Sequence, residues 1–207
     1  MDLLTANDKF GEYPNSYYAW NSVFLPSFEI SKGELKCDVC IVGAGYTGLS
    51  AAIHLAEEGY KVIVLEAQRV GFGASGRNGG QVGTGQRVNQ LDLEKLVGND
   101  NAHRLWDVSL EAVELVKKLS KDIKGCAFQP GIVHASHKKS IISDEHHYVD
   151  HLRKLYNYKK IQKLNKEELR NIVNTEAYFG GYLDTGSGHV DPLNYVLGLA
   201  KKAHLKG

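Results

Sequence analysis

The chain of 207 residues lacks long apolar runs, a leader-like N-terminus and any concentration of one charge. No stretch reaches the roughly 18 consecutive apolar residues of a membrane-spanning helix, and the first residues show no basic region followed by an apolar segment. Lysine and arginine number 25 against 24 aspartate and glutamate, and the lysine pairs are scattered, so no basic stripe indicates a nucleic-acid partner. We therefore expect a cytoplasmic protein without a membrane or nucleic-acid partner.

Cysteine is also scarce. Three cysteines, an odd number, argue against a disulfide framework and fit a reducing compartment. Cys37 and Cys40 have the spacing of a redox pair, but they open an apolar segment that we interpret as a strand, where positions three apart point to opposite faces. His146 and His147 fall on a polar helical stretch. The sequence thus predicts neither a thiol redox centre nor a metal site.

One short segment carries most of the information about the fold. An apolar run at 37–42 precedes a cluster of glycines, a helical pattern follows at 47–58, and a second apolar run occupies 61–66. Gly59 supplies a stop between the helix and the second run. This order predicts strand, turn, helix and strand, with the strands in a parallel sheet that is buried on both faces.

Residues 43–48, between that strand and that helix, have the Gly-x-Gly-x-x-Gly pattern of dinucleotide-binding folds. Gly43 permits a tight turn, Gly45 lets the backbone reach a pyrophosphate, and Gly48 lets helix and strand pack closely. The helix N-terminus would offer N–H donors to the anion. Glu66, at the end of the second strand, would accept hydrogen bonds from a ribose. The pattern predicts dinucleotide binding and leaves NAD and FAD both open.

The remaining segments are predicted from periodicity and turn residues. Glycine recurs between residues 70 and 85 too often for a helix or strand interior, which indicates a long loop whose backbone approaches another group closely. The other predicted elements are a polar arm at 1–35 anchored by packing of Tyr13, Tyr17, Tyr18 and Trp20, a helix at 100–121, a hairpin at 128–135 with its turn at Pro130-Gly131, helices at about 140–157 and 165–173, a strand at about 178–184 and a final helix after Asp191-Pro192.

Residues 69–81, Arg-Val-Gly-Phe-Gly-Ala-Ser-Gly-Arg-Asn-Gly-Gly-Gln, resemble the second flavin-binding segment of the D-amino-acid oxidase superfamily. A nicotinamide dehydrogenase has no use for such a loop at this position. The resemblance covers essentially the entire chain and is closest to the gamma-glutamylputrescine oxidases, with counterparts at residues 16–19, 37–40, 45–50 and 188–194. It therefore implies FAD as the cofactor.

The resemblance also implies which residues lie beside FAD, because in that family the loop runs along the pyrophosphate and ribitol to the ring. It assigns no catalytic side chain. His189 invites a catalytic interpretation, but we favour a structural role because it ends a strand before the predicted helix start. The residues expected to bind FAD are Gly43, Ala44, Gly45, Tyr46, Thr47, Gly48, Glu66, Ala67, Ser75, Gly76, Arg77, Asn78, Gly79 and Gly80.

The predicted fold class is α/β: a Rossmann-like FAD-binding domain with a parallel sheet, plus part of an inserted α+β region on the substrate side. Members of the family are about twice this length, so we expect a truncated chain that exposes an apolar sheet edge. The predicted segments are an N-terminal arm at 1–35, the βαβ unit and flavin loop at 36–98, inserted helices and a small β piece at 99–185, and a return helix of the FAD domain at 186–207.

The resemblance implies an FAD-dependent oxidoreductase that oxidises the carbon–nitrogen bond of a small amine, such as gamma-glutamylputrescine, with oxygen as the acceptor. The alternative is an inactive remnant, or a half-subunit that works only with a separate C-terminal chain. The nucleotide motifs are intact in either case and leave both open. We expect the 207 residues alone to show no amine-dependent peroxide production, because half of the cofactor contacts and most of the substrate pocket would be missing.

Overall fold

The computed structural model describes residue 9 and residues 11–207. The part of the predicted arm formed by residues 1–8 and 10 lies outside the described residues. The helices are α1 (Tyr17–Asn21), α2 (Tyr46–Glu57), α3 (Gln90–Val97), α4 (Asn99–Ser120), α5 (Ile142–Leu155), α6 (Lys166–Val173) and α7 (Pro192–His204). The strands are β1 (Val39–Val42), β2 (Val62–Leu65), β3 (Gln81–Val82), β4 (Gln129–Ser136), β5 (Ile161–Asn165) and β6 (Gly180–His189).

Contacts among these elements divide the chain into two compact units. The first contains the described residues up to Gly80 together with Leu119–Ala127 and Val190–Gly207. The second contains Gln81–Lys118 and Phe128–His189. The four segments predicted from the sequence are defined by expected role rather than by contacts, and their boundaries stay predictions.

The first unit is built on a parallel pair of strands, β1 and β2, in which Val39 lies opposite Val62. Helix α2 connects the two strands and packs against α7. The predicted order of strand, turn, helix and strand, the parallel sheet and the α/β class are confirmed. The residues that α2 buries are Leu49, Ala52 and Ile53.

The predicted burial of both sheet faces is wrong for this chain. Side chains of β1 alternate between half-buried and exposed, and Val42 at its end is 86% exposed. Such alternation is typical of a sheet covered on one face, and α2 supplies that cover. The strand also begins at Val39, two residues later than predicted, so Cys37 precedes it.

Helix α7 begins where the Asp191-Pro192 pair predicts. The carboxylate of Asp191 accepts a hydrogen bond from the backbone N–H of Asn194 at 2.8 Å, and Pro192 occupies the first helical turn, where no N–H donor is needed. Basic residues occupy the last turn, where their positive charge interacts favourably with the negative end of the helix dipole. Most of α7 is buried, so it forms the centre of the first unit.

The second unit is an antiparallel sheet around β6. Strand β4 pairs along one edge of β6, while β3 and β5 share the other edge. Helices α4 and α5 contribute the apolar core, and the predicted helices at 100–121 and 140–157 are confirmed within a few residues. The core residues are Trp106, Val149, Leu152, Tyr158 and Ile161.

The predicted hairpin at 128–135 is wrong. Residues Gln129–Ser136 form one strand, and the Pro130-Gly131 pair produces a register shift against β6 rather than a turn. Proline has no N–H for the ladder and is tolerated at such irregularities. Gly131 takes a positive φ of 103° there, which a residue with a side chain rarely adopts.

Strand β6 is longer than predicted, because it continues through the glycine-rich residues 185–189. Glycine usually marks a loop, but here it permits close approach. A Cβ at Gly186 would collide with the Tyr158 hydroxyl, and one at Gly188 would collide with the carbonyl oxygen of Gln129. The glycines are therefore packing positions within the strand.

The described part of the arm is partly helical, whereas the sequence predicted no regular structure. Tyr13 packs as predicted, with its ring stacked on Phe24 at 4.5 Å between centroids. Tyr17 and Trp20 are 69% and 82% exposed, so the prediction that they anchor the arm by packing is wrong. Both lie on α1, whose five residues are too few to bury a complete face.

A buried carboxylate organises the second unit. Asp184 is only 4% exposed and accepts hydrogen bonds from the Thr84 hydroxyl at 2.9 Å, the Gly186 N–H at 2.9 Å, and the Tyr158 and Ser187 hydroxyls. Burying a charge is costly unless hydrogen bonds compensate, and these donors provide that compensation. Asp184 therefore ties β6, the segment before β5 and the segment after β3 together.

We expect Tyr158→Phe to lower the free energy of unfolding by about 1–3 kcal/mol, because the Asp184 carboxylate loses a buried donor. Urea unfolding followed by circular dichroism measures this loss. Tyr60→Phe is the matched control, since Tyr60 is 51% exposed, and it should stay within about 0.5 kcal/mol of the parent. Equal stability of both variants would contradict the importance of this hydrogen bond.

Candidate nucleotide-binding site

The turn between β1 and α2 presents backbone N–H groups at a helix N-terminus. Gly43 has a positive φ of 99°, and the N-cap residue Gly45 has no side chain to satisfy the first helical donors. The Tyr46 N–H donates to the Ser75 hydroxyl at 3.1 Å. The N–H groups of Gly45 and Thr47 have no acceptor among residue 9 and residues 11–207. Such donors bind an anion readily.

Close packing explains why glycine is needed in this turn. A Cβ at Gly48 would collide with the carbonyl oxygen of Gly43 and lie 3.1 Å from the Ile41 side chain. A Cβ at Gly45 would lie 2.9 Å from the Ser75 hydroxyl oxygen. The structure therefore gives Gly48 the helix–strand contact that its sequence position predicts, and it leaves a narrow space between Gly45 and Ser75.

Glu66 follows β2 and lies directly beside the turn. Its Oε2 accepts a hydrogen bond from the Ala44 N–H at 2.8 Å, and its Oε1 accepts one from the Gln68 N–H at 3.0 Å. A carboxylate has about four acceptor positions, so these two bonds orient Glu66 and leave capacity for the hydroxyl of a ribose. Glu66 is exposed, which leaves it accessible to a ligand.

The loop between β2 and β3 folds back onto the turn and onto α7. Gly76 packs so tightly that a Cβ would collide with the Gly71 carbonyl oxygen. Gly80 has φ +71° and its carbonyl oxygen accepts a hydrogen bond from the Val190 N–H at 2.9 Å. These contacts hold both ends of the loop, and they explain why glycine recurs along it.

The side chains of this loop differ in where they point. Arg77 folds back on its own loop, with its guanidinium 4.4 Å from the centre of the Phe72 ring. Asn78 hydrogen-bonds to the loop and to the Tyr46 hydroxyl. Ala67 and Gly79 are exposed. The structure thus brings the segments 43–48, 66–67 and 75–80 together, while contact of each residue with FAD stays a prediction.

The residues present fit a flavin dinucleotide. The N–H groups of Gly45 and Thr47, which have no acceptor among the described residues, would hold the pyrophosphate, and Glu66 would hold the ribose. A carboxylate at this place also disfavours the 2′-phosphate of NADP. The second glycine-rich segment, with Ser75 against the helix start, would supply further backbone along the bound cofactor.

Sequence reasoning missed the contact between the arm and the start of this loop. The Arg69 guanidinium lies 5.1 Å from the centre of the Tyr13 ring and donates to the carbonyl oxygen of Leu25 at 3.2 Å. The Tyr13 hydroxyl donates to the carbonyl oxygen of Val70 at 2.7 Å. The signal was Arg69, three residues after the predicted ribose-binding Glu66, and an arm rich in aromatic residues, which together permit cation–π contacts.

Cys126 lies in the first unit and is fully buried. Burial, together with the nearby Asp191 carboxylate, raises the pKa of its thiol to about 12. Its Sγ lies 3.5 Å from the Asp191 carbonyl oxygen, to which it donates. Cys40 is exposed and Cys37 is half-buried, so the three thiols differ in accessibility.

We expect iodoacetamide at about pH 8 to label Cys40 first and Cys37 more slowly, and to leave Cys126 unlabelled until the protein is unfolded, because the thiolate is the reactive form. Mass spectrometry of the digested protein measures each site. Labelling of Cys126 in the folded protein at the rate of Cys40 would be inconsistent with its burial.

Metal ligands are not clustered in the described part of the chain. Among residue 9 and residues 11–207, no group of three His, Cys, Asp or Glu side chains could hold a metal ion. His151 instead pairs with Glu94, with 2.7 Å between the His151 Nε2 and the Glu94 Oε1.

No helix within residue 9 and residues 11–207 is long and apolar enough to cross a membrane.

The family is decided by comparison with known sequences. Residues 38–207 match the model of the DAO family, described as FAD dependent oxidoreductase. The chain belongs to this family. FAD is therefore the cofactor of this family, and the resemblance to the D-amino-acid oxidase superfamily inferred from residues 69–81 is confirmed.

Two curated relatives resemble most of the chain. A probable oxidoreductase OrdL of Haemophilus influenzae is 42% identical over 94% of this chain and 46% of its own length. The gamma-glutamylputrescine oxidoreductase of Escherichia coli strain K12 is 38% identical over 95% of this chain and 46% of its own length. The chain thus spans about half the length of the curated relatives it matches.

Solved structures support the same fold. The crystal structure of glycine oxidase from Geobacillus kaustophilus superposes with a TM-score of 0.62 at 22% identity, over 83% of this chain and 45% of that one. At this identity the likeness concerns the fold alone. It agrees with a Rossmann-like FAD-binding fold of which this chain holds part.

We expect Gly48→Ala to abolish FAD retention and to lower thermal stability, because the new Cβ would meet the rigid backbone oxygen of Gly43. Gly73→Ala is the matched control, since a Cβ at Gly73 meets nothing within 4 Å. Flavin absorbance of the purified proteins and their melting temperatures give the comparison. Retention of FAD by Gly48→Ala at the level of Gly73→Ala would show that the close approach is dispensable.

Proposed function

We propose that this chain is the FAD-holding part of an oxidoreductase that oxidises the carbon–nitrogen bond of a small amine, with a substrate similar to gamma-glutamylputrescine and with oxygen as the acceptor. The observation that carries the proposal is the hydrogen bond between the Ala44 N–H and the Glu66 carboxylate at 2.8 Å. It supports the proposal because it brings the Glu66 carboxylate beside the glycine turn, where the ribose and the pyrophosphate would lie. The likeness to the gamma-glutamylputrescine oxidoreductase supports the substrate class.

The residues of this chain would act by binding and orientation. The N–H groups of Gly45 and Thr47 would neutralise the pyrophosphate, and Glu66 would fix the ribose. Bound FAD would supply the hydride acceptor, which oxygen would then reoxidise. The loop at 71–80 would hold the ring end of the flavin in place. Such orientation of the reacting groups contributes strongly to the reaction rate.

The first test concerns the cofactor. The protein purified with FAD should show the absorbance bands of an oxidised flavin, and Gly45→Trp should remove them, because the bulky side chain would fill the narrow space beside Ser75. Cys40→Ser should keep the flavin, since Cys40 lies on the exposed face of β1. Loss of flavin from Cys40→Ser, or retention of NAD in place of FAD, would contradict the proposal.

A second candidate function is that of a half-subunit, which requires a separate C-terminal chain for activity. The exposed end of β1 at Val42 supports it. An apolar strand end of this kind is suited to contact another layer of protein.

The second test separates the two candidates. A peroxide-coupled assay with gamma-glutamylputrescine and a panel of simpler primary and secondary amines is run on this chain with added FAD, and again with the C-terminal half of a relative. We expect turnover only in the complemented sample, because substrate orientation and water exclusion need the remaining contacts. Equal turnover by the isolated chain would exclude the half-subunit. No turnover with any amine in either sample would contradict the amine substrate.

A further inference from the structure

Asn78 uses almost all of its hydrogen-bonding capacity inside the protein. Its Oδ1 accepts from the Gly80 N–H at 2.7 Å. Its Nδ2 lies 3.1 Å from the carbonyl oxygens of Ala74 and Ser75 and 3.2 Å from the Tyr46 hydroxyl oxygen. A carboxamide has two N–H protons, so three acceptors already share them. Asn78 is exposed, but the three acceptors leave no N–H of its amide free for a ligand.

The contacts also fix the direction of the hydrogen bonds. The Tyr46 hydroxyl lies 3.0 Å from the carbonyl oxygen of Pro192. A carbonyl oxygen only accepts and an amide nitrogen only donates, so Asn78 donates to Tyr46 and Tyr46 donates to Pro192. The reverse orientation of the Asn78 amide would place its oxygen against two carbonyl oxygens. A single arrangement therefore satisfies every group in this chain of contacts.

We propose that Asn78 and Tyr46 form a positioning pair that sets the gap between the start of α2 and the loop at 73–80, and that they hold FAD through this gap rather than by touching it. The proposal rests on the FAD site proposed above. The sequence predicts that Tyr46 and Asn78 contact FAD directly. In this proposal they act on FAD only through the position of the neighbouring segments.

Three segments of the first unit meet at this pair. Tyr46 lies in the first turn of α2, directly after Gly45. Its backbone N–H is held by Ser75 and its hydroxyl by Asn78, both on the loop, while Pro192 begins α7. Tyr46 is thus fixed at both ends, and the separation between Gly45 and Ser75 follows from its position.

The environment of Tyr46 keeps this arrangement intact. Its ring packs against Tyr195 with 5.1 Å between centroids. Burial raises the pKa of the Tyr46 hydroxyl to about 12, so the proton that Pro192 accepts remains in place across the neutral range. Tyr46→Phe would keep the ring packing and remove only the hydroxyl, which makes it a clean probe.

The first experiment needs no cofactor. Hydrogen exchange of the Gly80 amide, measured by NMR on the protein without FAD, reports whether Asn78 is held in place. Tyr46 has no hydrogen bond to Gly80 among residue 9 and residues 11–207, so Tyr46→Phe should speed exchange of the Gly80 amide several-fold only if Asn78 depends on Tyr46. Tyr60→Phe should leave that exchange unchanged. An unchanged Gly80 rate in Tyr46→Phe overturns the proposal.

The second experiment measures FAD dissociation constants by flavin fluorescence for Tyr46→Phe, Asn78→Ala and the double variant. Each single variant should weaken binding about tenfold, and the double variant should also be weakened about tenfold rather than a hundredfold, because both changes break one chain of contacts. Additive losses, or normal binding by Tyr46→Phe, would overturn the proposal by indicating independent contacts with FAD.

The two experiments also separate this proposal from the FAD site on which it rests. If the parent protein binds no FAD, the proposed site fails, whereas the Gly80 exchange rate still decides whether the pair positions the loop. Circular dichroism melting of each variant confirms that the comparison is made between folded proteins.

Discussion

The close approach of α2 to β1 depends on glycine at two positions of the turn between them, Gly43 and Gly48. The left-handed conformation of Gly43 turns the chain, and the missing Cβ of Gly48 lets the first turn of α2 approach that turn. The N–H groups at the helix start then point to the same side as the end of β2, where Glu66 lies. The position of the whole candidate site depends on this contact.

Short-range physics made the first unit predictable. The glycine spacing at 43–48, the apolar runs on either side and the acidic residue after the second run each have a local cause, and each lies within two residues of its predicted position. The Asp191-Pro192 start of α7 is of the same kind, because a cap and an N-terminal proline act within a single turn. The flavin loop was recognisable by its glycines and by likeness to a family.

Long-range contacts account for what the sequence could not predict. Pro130-Gly131 has the composition of a turn, and only the pairing with β6 converts it into an irregularity within one strand. The glycines at 186 and 188 look like loop residues until Tyr158 and Gln129 are seen to pack against them. Asn78 is a further case, since its amide could face a ligand or the loop, and its hydrogen bond to the Tyr46 hydroxyl, 32 positions away, joins it to α2.

The packing of α2 against α7 has a consequence for synthesis of the chain on the ribosome. Leu49, Ala52 and Ile53 leave the ribosome early, yet α7, the helix that packs against α2, begins only at Pro192. At typical translation rates of about 5–20 residues per second, the interval is on the order of ten to thirty seconds. During that time the nascent chain displays an amphipathic helix whose partner has not been made. The native order of contacts therefore leaves the apolar face of α2 without its native cover until α7 has been made, even though the βαβ segment is among the earliest parts to be synthesised.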